Sequence, residues 1–115
     1  MARLLYRSHM NLVELFKGLS DPVRFRIAHL LCQKDEICVC HLTEALGLPQ
    51  STISRHLNTL KHAGLVHAER RGKWVYYQLV QGNPAVFSIA ELIQKQTSQD
   101  SLLQKDLAQL NHTNC

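Results

Sequence analysis

No apolar run in this sequence approaches the length needed to span a bilayer, and its first residues lack the apolar stretch of a secretory signal. A cytoplasmic location is therefore expected, where thiols are kept reduced. With only four cysteines in 115 residues, metal binding or redox sensing is a better reading than a structural disulfide framework. Internal repeats and low-complexity segments are also missing, so the length supports one domain. So is any phosphate-cradling loop. Cys40 adjoins His41, but sequence neighbours point apart on a helix and no third orienting group is apparent, which argues against an enzyme. What the chain does have is 45% hydrophobic residues, enough for a small core, and a net charge of +4 with its seven histidines neutral. That balance fits a partner carrying phosphates without demanding one. A core this small also favours a dimer.

Helical periodicity appears at Leu12, Leu15, Phe16 and Leu19, predicting a short amphipathic helix over residues 11–19. Ahead of it, Arg7-Ser8-His9-Met10 has the form of a cloning-site junction, so residues 1–10 are set apart as a vector-derived or disordered arm. Asp21-Pro22 is a helix start, because an Asp cap accepts orphan amide hydrogens and proline is tolerated in the first turn. The helix it opens carries Val23, Ile27, Leu30 and Leu31 on one face, to about Gln33. A third, short helix is expected over residues 39–46, stopped by Gly47, and a fourth over residues 49–63, with Ile53, Leu57 and Leu60 inward and Gly64 as its stop. Residues 65–69 and 74–79, rich in β-branched and aromatic side chains, predict a hairpin with a basic tip at Arg70-Arg71-Gly72-Lys73. Beyond Pro84, one long or two broken helices follow, with the polar stretch 94–101 as the weak point.

Helix, glycine turn, helix and basic hairpin is the order of a winged helix-turn-helix. The predicted fold class is mainly α with a β-hairpin wing, dimeric. Residues 11–110 form that single domain, and 111–115 a flexible tail. In this geometry the fourth helix enters the major groove of double-stranded DNA, where Gln50, Ser51, Thr52, Ser54, Arg55 and His56 can meet base edges and phosphates. Arg70, Arg71 and Lys73 would lie beside a phosphate strand or a minor groove, adding salt-sensitive affinity rather than sequence choice. An ordinary solvated turn is the bland alternative for the basic cluster, and hairpin packing is preferred over base stacking for Trp74 and Tyr76.

Cys38 and Cys40, two residues apart at the mouth of the third helix, are the candidate ligands. Thiolate sulfur suits arsenite-type and soft divalent ions, and the helix start should favour the Cys40 thiolate. Positions two apart point about 200° away from each other on a regular helix. Chelation by both therefore requires a non-helical or unwound helix start, and the strain would pass to the recognition helix. The alternative is a short strand along which the two thiols alternate, with no ion. Cys32 reads as core and Cys115, with His112, as frayed tail, although either cysteine is a third-ligand candidate. His29 and His62 read as surface or edge residues.

Several stretches together resemble the arsenic-responsive branch of the ArsR/SmtB family of metalloregulatory winged-helix repressors. They are Leu15-Phe16-Lys17 through Ser20-Asp21-Pro22-Val23-Arg24, Glu36-Ile37-Cys38-Val39-Cys40-His41-Leu42, Ser54-Arg55-His56-Leu57 with Gly64-Leu65-Val66, and Gly72-Lys73-Trp74-Val75-Tyr76-Tyr77. The resemblance covers about residues 11–80. It implies a homodimer joined by its first and last helices, bound to an inverted-repeat operator when ion-free and released by As(III), Sb(III) or a trivalent methylarsenical at Cys38 and Cys40. The family's third cysteine falls at Thr43 here, so Cys32, Cys115 from either chain, water or an organic substituent on arsenic is left to complete the site. A zinc site of the kind some relatives carry on the last helix would have only His112 and Asp106 to draw on. A thiol redox switch or a cadmium- or lead-responsive repressor on the same fold is the competing reading. A winged helix used for protein contacts is a third.

Overall fold

The computed structural model describes residues 2–115, with side chains described from Asn11 onward. Helix α1 (Ala2–Leu19) continues the helix read over residues 11–19 back into the stretch set apart as an arm. Met1 lies outside the described residues. Helix α2 (Pro22–Gln33) begins as the cap signature predicts: Asp21 Oδ2 accepts from the amides of Val23 at 2.9 Å and Arg24 at 3.0 Å. The amide of Arg24 is the main reason the Asp21 carboxyl is held below its ordinary range.

A two-residue strand, β1 (Ile37–Cys38), precedes α3 (Val39–Leu46) and α4 (Gln50–His62). Gly47, between the two helices, has φ 67°, a left-handed conformation that stops α3 and turns the chain without strain. The hairpin is β2 (Val66–Arg71) and β3 (Trp74–Leu79). Arg71 opposite Trp74 leaves Gly72-Lys73 as a two-residue loop, and Gly72 takes φ 63°. All pairings are antiparallel in the order β1-β3-β2, so the wing is joined through β3 to the strand that holds Cys38. Helices α5 (Pro84–Thr97) and α6 (Ser101–Leu110) are broken inside the polar stretch, where Asp100 caps α6 by accepting from the Leu103 amide. No helix among the described residues is long and apolar enough to cross a membrane.

The core gathers Ile27, Leu30, Leu42, Ile53, Leu57 and Leu60, all fully buried, so α3 and α4 share one apolar seam with α2. Helix α1 closes over the end of α4 at Gly18, where an added Cβ would stand 2.8 Å from that of Ala63. Helix α6 is fastened to α2 by a bidentate ion pair, Arg26 Nε and Nη2 donating to Asp106 at 2.8 and 2.9 Å. Asp106 is thereby removed from the zinc ligands considered above.

His29 is not a surface residue. It is 0% exposed, and neither ring nitrogen has a hydrogen-bond partner among the described residues. The one-face reading of α2 missed it because α2 packs against α4, α5 and α6 and is enclosed on several sides. Burial lowers the His29 pKa from 6.5, against a smaller opposing pull from Asp106 and Asp100. The unfolded chain therefore takes up a proton that the folded chain resists. Stability is full above about pH 6.5 and declines as pH falls from there toward the folded-state value. Urea unfolding from about pH 7 down to about pH 5.5 should show a falling midpoint that His29→Leu flattens. An unchanged slope in the variant would assign the loss to other groups.

Candidate functional site

The outer face of α4 follows from its inner one. With Ile53, Leu57 and Leu60 buried, Gln50, Ser51, Ser54 and Arg55 are exposed together on the N-terminal half. No side chain caps the start of α4 at Pro49, so its outward amides are free to meet an anion. Thr52 is half-buried. His56 turns back toward the protein, its Nδ1 3.5 Å from Arg24 Nη1 and 3.9 Å from Asp21 Oδ2, and so braces α4 against the start of α2.

The three wing cations differ in the same way. Arg70 and Lys73 are exposed, Arg70 donating to the Gly72 carbonyl at 3.4 Å and Lys73 lying 5.2 Å over the Trp74 ring. Trp74 itself is 40% exposed, which departs from the packing role preferred for it. Arg71 is held by carboxylates: it donates to both oxygens of Glu36 at 2.6 and 2.7 Å and to Glu69 at 2.7 Å, and lies 4.5 Å over Tyr76. Its guanidinium is the first reason the Glu36 carboxyl is shifted down. Glu36 stands two residues before Cys38, so this clamp ties the wing to the thiol segment. Sequence spacing could not reveal it, since 35 residues separate the partners.

The thiol pair straddles a junction between strand and helix. Cys38 is extended, φ −70° and ψ 143°, paired with Tyr76 across β1-β3 and only 4% exposed. Cys40 is the second residue of α3, within its first turn, and is half-exposed. The non-helical start that chelation requires is thus already present at Cys38, and the alternation along one strand does not occur. Both cysteines line a cleft of about 430 Å³ whose other walls are Gln50 and Ser54 of α4 and Arg70, Lys73 and Trp74 of the wing. Sensor candidates and reader candidates border one space.

The remaining cysteines separate. Cys32 sits at the end of α2 against α5, and burial pushes its thiol up to about 11, so it is a protonated core residue near neutral pH. Cys115, five residues beyond the end of α6 and outside the cleft lining, is joined to Cys40 by a disulfide, with Cα atoms 6.2 Å apart. His41 completes this group: its Nε2 is 3.1 Å from the Cys115 carbonyl oxygen, and the ligand atoms of Cys40, His41 and Cys115 all lie within 4.8 Å of one another. Within residues 111–115, read as a flexible tail, Asn111 to Thr113 bond back to α6 and Cys115 meets α3. Such a set could hold a soft cation when reduced.

Residues 21–68 match the family model described as bacterial regulatory protein, arsR family. The chain is 45% identical over 73 residues to the arsenical resistance operon repressor of Escherichia coli, a match covering 64% of this chain and 62% of that one. Against an arsenic resistance transcriptional regulator of Pseudomonas putida the identity is 43% over 82 residues, covering 70% and 69%. The chain thus spans about two thirds of the length of these relatives. Among solved structures, the antimony-specific transcriptional repressor AntR superposes with a TM-score of 0.60 at 32% identity, covering 70% of each chain. A homodimeric winged helix-turn-helix DNA-binding domain from Mycobacterium bovis superposes with a TM-score of 0.65 at 32% identity, covering 82% and 81%.

Proposed function

Because this chain belongs to the arsR family of bacterial regulatory proteins, and is a winged helix-turn-helix transcription regulator rather than an enzyme, we propose a specific mode of action for it. It holds an inverted-repeat operator as a homodimer and releases it when trivalent arsenic or antimony, a methylated arsenical included, binds Cys38 and Cys40. The observation that carries this reading is the shared cleft: Cys38 and Cys40 both line the space bounded by Gln50 and Ser54 of α4 and by Arg70 and Lys73 of the wing.

Physical chemistry supplies the coupling. Cys38 is fixed by its pairing with β3, so an ion drawing the two sulfurs together must move the first turn of α3. Leu42, Ala45 and Leu46 of α3 are buried in the same core as Ile53 and Leu57 of α4, and packed cores shift as units rather than deform. The reader is displaced, so ion and DNA bind different arrangements, as linkage demands. In the ion-free arrangement Gln50, Ser51, Ser54 and Arg55 meet the groove, Arg70 and Lys73 meet phosphates, and His56 and Arg71 position α4 and the wing.

A second copy has an apolar face to use. Leu12 and Phe16 of α1 and Phe87 and Leu92 of α5 are all exposed, Phe87 at 67%. The relative solved from Mycobacterium bovis is homodimeric. Solitary exposed apolar residues are ordinary, but four large ones on α1 and α5, with Leu102 of the last helix also exposed, suit a symmetric interface.

Fluorescence anisotropy of the reduced protein on operator DNA, titrated with arsenite, methylarsenite, antimonite, cadmium, lead and zinc, tests the reading. Trivalent metalloids should release DNA at the lowest concentrations. Release by cadmium or lead ahead of all of them would reassign the inducer. Release by none would remove the sensor assignment while leaving the DNA reader in place.

A further inference from the structure

Cys40 belongs to two groups at once. As a residue it lines the cleft with Cys38, while its sulfur is bonded to that of Cys115, 75 residues later in the chain. A sulfur in a disulfide has no lone thiolate to offer an ion. We propose that Cys40–Cys115 is a reversible redox site that gates the ion sensor: the oxidised protein keeps its DNA-reading form and is deaf to inducer, and reduction restores the response. This inference rests on Cys40 being a sensing thiol.

Three independent features place Cys115 there. The Arg26–Asp106 ion pair locks α6 onto α2, with Leu103 and Leu110 buried beneath it. The chain then turns back at once, the Thr113 amide and Oγ1 both donating to the Leu110 carbonyl at 3.2 and 2.8 Å. His41, in the tautomer with its proton on Nε2, donates to the carbonyl of Cys115 itself at 3.1 Å. The short loop after α6 is thus ordered toward the first turn of α3 by contacts that do not involve sulfur. The approach of the two cysteines is built into the packing and would persist when they are reduced.

The chemistry balances with a hydroperoxide as oxidant. The Cys40 thiolate attacks the peroxide oxygen, giving a sulfenic acid and an alcohol or water. The Cys115 thiol then displaces the hydroxyl, forming the S–S bond and a second water. Two electrons pass to the peroxide. Exchange with two equivalents of a small-molecule thiol returns both cysteines and leaves that thiol oxidised. Cys115 is exposed and Cys40 half-exposed, so reagents reach the pair, whereas Cys38 is buried. The linkage therefore forms at Cys40 and not between Cys38 and Cys40.

The test uses the full chain reduced, treated with hydrogen peroxide and freed of it, and then reduced again, alongside Cys115→Ser handled identically. Non-reducing peptide mapping reads the linkage, and anisotropy on operator DNA reads the arsenite response. The expected result is a Cys40–Cys115 peptide in oxidised wild type, DNA affinity within about twofold of the reduced form, and arsenite-driven release abolished until reductant is added. Because Cys115 is also a candidate ligand, Cys115→Ser is read against its own reduced response, which should be the same before and after peroxide. A map without that peptide, an oxidised wild type that still responds, or a Cys115→Ser protein that also turns deaf would each overturn the gate. Reduced wild type that ignores arsenite would instead sink the sensor reading, and the gate with it, so the two failures are distinguishable.

Discussion

Cys40→Ser, alone or with Cys38→Ala, is expected to leave operator affinity nearly intact and to abolish ion-driven release. Coupling between two ligands in such regulators is on the order of 5- to 150-fold, and the variants should show none of it. The substitutions differ in structural cost. Cys40 is half-exposed, so a serine there meets water. Cys38 is 4% exposed, and a serine hydroxyl at that position would be buried in the β1–β3 pairing, at a cost of about 1–3 kcal/mol if unpaired. Alanine is therefore the cleaner probe. Anisotropy with and without arsenite separates the outcomes: lost response with retained affinity supports the assignment, and a retained response in the double variant moves the sensing site elsewhere.

Asp106→Ala should strongly destabilise the packing of α6 on α2. Asp106 is 1% exposed and accepts two hydrogen bonds from Arg26, whose guanidinium is held above its ordinary pKa chiefly by that carboxylate. Removing one member of a buried pair leaves the other charge uncompensated, at about 3–5 kcal/mol. Since the pair also fastens to α2 the helix that leads to Cys115, the variant should form the Cys40–Cys115 linkage more slowly. Urea unfolding gives the first number directly, and a loss below about 1 kcal/mol would mean that Arg26 finds water without difficulty.

Local chemistry made much of the fold readable. Asp21-Pro22, Gly47 and the two-residue loop at Gly72-Lys73 each act over a few residues, and each stands where its backbone preference requires. The apolar spacing of Ile53, Leu57 and Leu60 in turn fixed which side of α4 faces outward. What escaped was non-local. β1 is two residues long, too short for any periodicity, yet it makes Cys38 extended. Partners 80, 75 and 35 residues apart, Arg26–Asp106, Cys40–Cys115 and Glu36–Arg71, leave no mark in a linear reading. The same reason applies within the DNA-contact set: polarity marks Gln50, Ser54, Arg55, His56 and Arg71 alike, and only packing shows that His56 and Arg71 also pair with carboxylates of the protein itself. His29 is the converse case, a polar residue enclosed because α2 is covered on several sides.

The central claim is that one event, an ion binding the thiols, opens the DNA complex. The most direct measurement titrates arsenite into reduced protein on labelled operator and follows, in one cuvette, ultraviolet absorbance from sulfur–arsenic bonding and anisotropy of the DNA. The account predicts that both signals break at the same ion-to-protomer ratio, and that both vanish with Cys40→Ser. DNA release without the absorbance change, or saturation of the absorbance while the DNA stays bound, would contradict it.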